Sequence, residues 1–406
     1  VNAAKPDVSK IKNKSTQQEA RLKKACALTL AVAMALPALP ITEARAEDDI
    51  IIGYAAAITG MYAPYDSVDG AKCEIDRINE KGGVLGKKLR LEARDMKSDA
   101  VVSATAGQEL IDLGATAILS PPSDDTSIPI AALAAPHGIP VLSVASTQVQ
   151  FPAAAPENAY LVPYGDNLSA GAAAQYAIKQ GYKTAVLMIT QDIGSYGFAT
   201  PEYFGDAFEH LGGKVLKKIN YNTGLSDYRA QLAEIQAMDP KPDVIFGGFI
   251  TPDGGVFPRQ FKSAGLGNIV FMGTDGYDDP GILQIAAEAA GMIKFVTHGF
   301  PEEGSALKEF YDDCTKRGYK IQNIFFGLAG EAILVIKTAI EAAGSIEPAK
   351  VNAAIREITN MKGITTDEIT YKDRGGVPIK RMAVVEVKDG KFSLVERILP
   401  DYVPAP

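Results

Sequence analysis

Residues 50–66 read IIIGYAAAITGMYAPYD, and residues 185–202 read AVLMITQDIGSYGFATPE. Each is an apolar run that breaks into a Gly- and Tyr-bearing loop and then enters a helix-like stretch. The first helical stretch closes on INEKGG (78–83) and the second on FEHLGG (208–213). Gly82-Gly83 and Gly212-Gly213 suit the left-handed residue that ends a helix. A strand with no polar alternation is one covered on both faces. Two copies of a strand, loop, helix and Gly-Gly stop predict two similar α/β lobes, the second beginning near residue 164 after AYLVPY.

The same rhythm extends outward from both copies. KLRLEARD (88–95), ATAILS (115–120) and IPVLSVAS (139–146) read as strands around helices near 66–81, 99–113 and 127–137. In the second half, KTAVLMIT, KVLKKINY, PDVIFGGF and NIVFMGTD alternate with helices near 168–180, 201–211, 226–238 and 255–264. Alternation of this kind builds doubly wound parallel sheets. The later chain adds helix-like segments near 305–317, 323–343 and 348–358. It ends in two strand-like runs, RMAVVEVKDG and KFSLVERIL, joined by Asp389-Gly390, a strong hairpin signal. A helical block followed by a hairpin cannot extend either lobe in simple order, so the chain is expected to return to the first lobe and then to the second.

Composition sets the class. The chain has 406 residues, 47% hydrophobic and 22% charged, with a formal net charge of −8. Residues 1–46 read as a leader. A basic cluster (Arg21, Lys23, Lys24) precedes ACALTLAVAMALPAL, and ARA follows at 44–46, the pattern of a secretory signal peptide cleaved between Ala46 and Glu47. The apolar run is short and broken by Pro37 and Pro40, which disfavours a membrane span. Cys26, preceded by KKA, does not read as a lipid-attachment cysteine. The leader holds eight of the Lys and Arg and three of the Asp and Glu. The remainder therefore has 33 basic and 46 acidic residues, a net charge of −13. Such a balance argues against nucleic acid and anionic membrane surfaces as partners. Of the two remaining cysteines, Cys73 and Cys314, both lie in helix-like stretches far apart in sequence. Two unpaired thiols are expected over a bridge, although an oxidising compartment permits pairing.

Catalytic and cofactor motifs are missing. His137, His210 and His298 are the only histidines, and none has metal-ligand spacing to another His or Cys. No G-x-S-x-G elbow and no G-x-G-x-x-G after the first strand occurs. GGVLGKK (82–88) has glycine spacing too short for a phosphate loop. Neither a cofactor, a metal nor an enzymatic activity is expected.

What remains is a ring of polar and aromatic residues at strand carboxyl ends, where open α/β sheets bind ligands. The first half contributes Thr59, Tyr65, the loop Ser123-Asp124-Asp125-Thr126, and Ala145-Ser146-Thr147. The second contributes Tyr196, Phe249-Ile250-Thr251 and Thr274-Asp275. Each has a plain structural alternative, since Asp125 or Thr126 suits an N-cap and the tyrosines suit loop packing. Asp275 is the sharpest clue. It follows an apolar strand, while Asp279-Pro280 fits the start of the next helix.

In AAITGMYAPYD, GAKCEIDRINEKGGVLGKKLRLEARD, GIPVLSVAST, YGFATPEYF, DVIFGGF and FMGTDG, taken in order and spacing over residues 48–398, the chain resembles the periplasmic substrate-binding proteins of branched-chain amino acid (Leu/Ile/Val) ABC importers. The resemblance implies a type I periplasmic-binding-protein fold, two lobes joined by three crossovers that close like a flytrap. It implies a first lobe of 47–163 plus about 300–362 and a second of 164–299 plus about 363–406. Carried over by position, it puts an aromatic lid on Tyr65 and contacts for a ligand carboxylate and ammonium on Ser123-Asp124, Ala145 and Thr147. Second-lobe aromatics fall on Tyr196 and Phe249, and the acid that pairs an ammonium falls on Asp275. Thr126 and Ser146 complete the expected contact set. Asp124 departs from the family pattern, which usually has a small hydroxyl residue there. With Asp125 as the N-cap, Asp124 is expected to face the cleft and accept from a donor-rich amide or amine. The implied role is that of a monomeric, periplasmic, non-enzymatic receptor delivering a small molecule to an inner-membrane permease. A sensory protein of the same fold is the alternative.

Overall fold

The structure, a computed structural model, describes residues 49–406; the expected leader, its cleavage point and Cys26 lie outside the described residues. The chain begins with β1 (Ile50–Ala56), α1 (Val68–Glu80), β2 (Leu89–Asp95), α2 (Ala100–Asp112), β3 (Ala117–Ser120), α3 (Asp124–Ala134), β4 (Val141–Ser143), α4 (Gln150–Ala154) and β5 (Ala159–Leu161). These strands form a parallel sheet in the order β2-β1-β3-β4-β5. It continues with α5 (Asp166–Lys179), β6 (Thr184–Ile189), α6 (Gly194–His210), β7 (Lys214–Asn220), α7 (Arg229–Gln236), β8 (Val244–Gly247), α8 (Asp253–Ser263), β9 (Val270–Gly273), α9 (Gly281–Ala286) and β10 (Ile293–Thr297). After α10 (Ala306–Lys316), α11 (Ile324–Ala343) and α12 (Pro348–Arg356), the chain ends in β11 (Met382–Lys388) and β12 (Lys391–Ile398).

The second sheet runs β12-β11-β10-β9-β8-β6-β7. Its parallel part, read β7-β6-β8-β9-β10, repeats the order of the first sheet. In both, the order reverses next to the first strand of the lobe, and ligands bind in the crevice at that reversal. β11 and β12 are antiparallel additions. Asp389 and Gly390 turn them with φ of 51° and 70°, as the Asp-Gly hairpin signal anticipates. Gly82 and Gly212 take positive φ just past α1 and α6.

α10 to α12 return to the first sheet. Leu328, Ile333, Val335 and Ile336 of α11 are buried with Ile52, Leu119 and Ile75 in one core. α11 crosses α1 closely: a Cβ on Gly70 would stand 2.1 Å from the Phe326 carbonyl oxygen. Ile364, Ile369 and Tyr371 pack into that core too. Glu331, on α11, is buried beneath the last passage between the sheets. It accepts from the Ile364 and Thr365 N–H groups at 2.8 and 2.7 Å and pairs with the equally buried Lys380.

Three expectations are corrected. Cys73 on α1 and Cys314 on α10 form a disulfide, their Cα atoms 5.9 Å apart. Sequence distance does not measure spatial distance when a chain leaves a lobe and returns. β5 and β10 were not anticipated as strands; AYL is only three residues long, and IKFVT follows a 3-10 segment with no turn signal between them. Finally, α3 starts at Asp124 with Ser123 at its N-cap position, so Asp125 is not the cap.

Candidate functional site

The loop after β1 carries Tyr65 on a 3-10 turn that Pro64 favours. It is pinned by Asp66, which accepts from the Tyr54 hydroxyl and from the Ala57 and Ser67 N–H groups at 2.7 and 2.9 Å. Burial nevertheless pushes the Asp66 carboxyl up to about 6. Tyr65 then spans the two lobes. Its hydroxyl donates to the Gly276 carbonyl (3.2 Å) and accepts from the Thr251 N–H (2.7 Å). Its ring meets Phe325 edge-on at 5.6 Å. Facing it, the Tyr196 hydroxyl pairs with Thr274 Oγ1 at 2.8 Å and accepts from the Gly276 N–H at 2.9 Å.

Tyr65, Ser123, Ala145, Thr147, Tyr196 and Asp275 line one cavity of about 40 Å3. The sequence-predicted set is therefore brought together in its larger part. Four expected contacts do not line it. The Phe249 ring lies in the second lobe's core against Phe257, Phe271 and Tyr277. Thr126 Oγ1 donates to the Ser123 carbonyl, and Ser146 Oγ to Gln148 Oε1. Asp124, expected to meet the ligand, instead accepts from Ser195 Oγ of the other lobe at 2.7 Å. Thr59 is held away by Asp95. Ile250, named in the strand-end ring though not in the expected contact set, lines the cavity, and Tyr62, Gln148, Ile193 and Phe325 do so without having been singled out. Ile250 is the neighbour of Phe249, and Phe325 belongs to the returning helix α11.

The cavity's charge is one-sided, for no Lys or Arg among the described residues lines it. Asp275 is buried, with Oδ2 3.1 Å from His298 Nε2. Burial lowers the His298 imidazole below its ordinary value despite the acid beside it, so a neutral ring donating from Nε2 fits the geometry. Tyr164 stacks on that ring at 4.1 Å. Asp275 Oδ1 and Ser123 Oγ are buried and find no hydrogen-bond partner among the described residues. Asp166, the first residue of α5, is buried nearby; burial, and secondarily Asp275, push its carboxyl well up, against the Thr147 and Thr200 hydroxyls that pull it down. A cavity that leaves a carboxylate oxygen and a hydroxyl unsatisfied is built for a group that donates to the first and bonds the second. The sequence singled out Asp275 but not His298, because IKFVT does not read as the strand β10 that, paired with β9, sets residue 298 beside 275. Among the described residues, no group of three or more His, Cys, Asp or Glu is placed to hold a metal ion.

Two lobes with the same strand order, closing on a small cavity at their paired reversal points, define a binding protein of the two-lobe type I periplasmic class. The chain belongs to the periplasmic binding protein family, whose profile matches residues 49–391. It is 27% identical over 377 residues to the Leu/Ile/Val-binding protein BraC3 of Rhizobium johnstonii, covering 91% of this chain and 99% of that protein. Among solved structures, a leucine binding protein LivK from Thermotoga maritima MSB8 superposes with a TM-score of 0.78 at 27% identity, over 87% of this chain and 99% of that one. An ABC transporter solute binding protein from R. palustris in complex with 4-hydroxybenzoate superposes at 0.76 with 20% identity, over 87% and 99%, a likeness of fold alone.

Proposed function

We propose that this protein is the periplasmic solute-binding component of an ABC importer, capturing a small amino-acid-like or amine- or amide-bearing molecule and delivering it to a membrane permease as a monomer. The observation that carries the reading is Asp275 Oδ1, buried in the cavity wall with no partner. An ammonium or amide N–H meets that oxygen with a charge-assisted hydrogen bond, worth more than a neutral one. A benzoate or hydroxybenzoate brings a net negative charge to a wall that holds no Lys or Arg among the described residues, whereas an amino acid's ammonium balances its carboxylate, and an unpaired charge there is costly. Ser123 Oγ and Thr147 supply the neutral half of the site. Relatives named for leucine, isoleucine and valine support the amino-acid end of this range.

The test is thermal stabilisation of the purified protein by single compounds. A molecule bound only by the folded state at about 100 times its Kd raises stability by about 2.7 kcal/mol. L-leucine, L-isoleucine and L-valine, small aliphatic amides and amines, and hydroxybenzoates form the panel. Stabilisation by an amine or amide, without chemical change in the recovered compound, is expected. Stabilisation confined to hydroxybenzoates, or turnover of a bound compound, overturns the reading.

A further inference from the structure

We infer that Asp124 and Ser195 form a latch between the lobes, so that Asp124 acts on closure and not on the captured molecule. This rests on the proposed capture function and adds to it the residues that hold the closed state. Asp124 opens α3 in the first lobe, and Ser195 lies in the first turn of α6 in the second. Ser195 Oγ donates to Asp124 Oδ2 at 2.7 Å. Both residues are buried, yet neither is among the cavity's walls.

The same contact recruits a second bridge. Ser195 Oγ lies 3.2 Å from Gln150 Oε1, and Gln150 Nε2 donates to the Tyr203 hydroxyl of α6 at 3.1 Å. α4, which carries Gln150, belongs with the first sheet, so three contacts among four side chains span the gap. The neighbouring backbone is cut to fit. Gly194 has φ of +60°, and a Cβ there would stand 2.6 Å from Asp124 Oδ1 and 3.0 Å from Ser123 Oγ. Any side chain at 194 would enter the space the latch closes.

Asp124 Oδ1 is also occupied, accepting the Asp125 N–H at 2.9 Å. Both oxygens of Asp124 therefore have partners in the closed protein, whereas Asp275 keeps one oxygen free in the cavity. The two acids divide the work: Asp275 faces the captured molecule, and Asp124 faces the opposite lobe. When the lobes part, the serine hydroxyl and the carboxylate both return to water. The bond thus counts only in the closed state and biases the opening equilibrium directly.

The test measures interlobe distance. Spin labels are attached at Gln108→Cys on α2 and Glu234→Cys on α7, both exposed, and distance distributions are recorded without ligand and with saturating L-leucine. Wild type is expected to populate the closed separation. Ser195→Ala and Asp124→Ala should each cut the closed-to-open ratio about tenfold. The double variant should be no worse than either single one, the signature of a direct pair. Ser195→Ala should leave the melting temperature of ligand-free protein within a degree or two of wild type, a result that a merely structural serine would not give. Additive losses in the double variant overturn the latch. So does loss of leucine binding in Asp124→Ala with normal closure in Ser195→Ala, which returns Asp124 to the ligand. A wild type that shows only the open separation in both conditions overturns it as well. A wild type that closes without ligand and ignores leucine leaves the latch standing and removes only leucine from the capture reading.

Discussion

Removing the Cys73–Cys314 disulfide should destabilise the protein by about 4.5 to 5.5 kcal/mol. The bond closes a loop of 241 residues that contains the whole parallel part of the second sheet. Chain-entropy arithmetic for a loop that long gives about 5.5 kcal/mol at 25 °C if the entire loop unfolds. If the second lobe stays folded while the first opens, roughly 100 residues become free and the figure is still about 4.7 kcal/mol. The logarithm makes the estimate insensitive to which event occurs. The helices it joins, α1 and α10, flank α11 in one core, so losing the tether loosens that core first. The assay is urea unfolding followed by circular dichroism and tyrosine fluorescence, the chain having no tryptophan. Oxidised protein, protein reduced in place and the Cys73→Ala/Cys314→Ala variant are compared. Reduction keeps the sulfur atoms in the core, so it isolates the tether, while the double variant adds the cost of two small cavities. The reduced form should also show a steeper urea dependence, since its unfolded chain exposes more surface. Reduced and oxidised protein agreeing within about 1 kcal/mol would refute the reasoning and assign the lobe's integrity to helix packing alone.

Asp275→Asn should weaken binding of whichever amine or amide stabilises wild type by about 1.5–3 kcal/mol, roughly 10- to 150-fold by calorimetry. Asn keeps an acceptor for His298, so a melting temperature that falls sharply with affinity intact would make Asp275 structural. Stability should rise as pH falls from 8 towards 5. Burial raises Asp66 and Asp253 to about 6 and Asp278 to about 7, so each contributes stability that is complete below the unfolded carboxyl value and lost as pH climbs through those values. His298 opposes this, its lowered folded value favouring higher pH, but it is one group against these three carboxyls and Asp166, which burial also raises. A melting temperature that declines steadily from pH 8 to 5 would contradict this balance, and Asp278→Asn should flatten the rise. Glu331→Gln should cost about 3–5 kcal/mol in urea unfolding by leaving Lys380 charged and unpaired in the core. Restoration by Lys380→Met in the same background is the expected check, and a silent single variant would show that Lys380 is held elsewhere.

The twin lobes were legible because their signals are local: an apolar run, a Tyr-bearing loop and a Gly-Gly stop recur in order. The strand-end rule then located Tyr65, Tyr196 and Asp275 without reference to any contact. Phe249 shows where that rule runs out. Its neighbour Ile250 faces the cavity, and one residue of parity along an extended segment exchanges core for cleft. Asp124 was placed on the right surface, but a sequence does not state that the opposite lobe presents a serine to it. The disulfide and Phe325 in the cavity wall join residues separated by chain crossings, and His298 beside Asp275 depends on β10, a strand the sequence did not signal. Local pattern carries no signal for such pairs.

The interleaving of the lobes also dictates when they can exist during synthesis. The first sheet is complete at Leu161, yet α11, whose side chains cover its core, begins at Ile324. At ribosomal speeds of about 5–20 residues per second, roughly 160 intervening residues take on the order of 10–30 s. The second sheet waits as well, because β11 and β12 are its last strands and come from the end of the chain. Neither half can bury its apolar surface until almost the whole polypeptide has been made. A chain that cannot finish either lobe early keeps its apolar surface open until synthesis is nearly over.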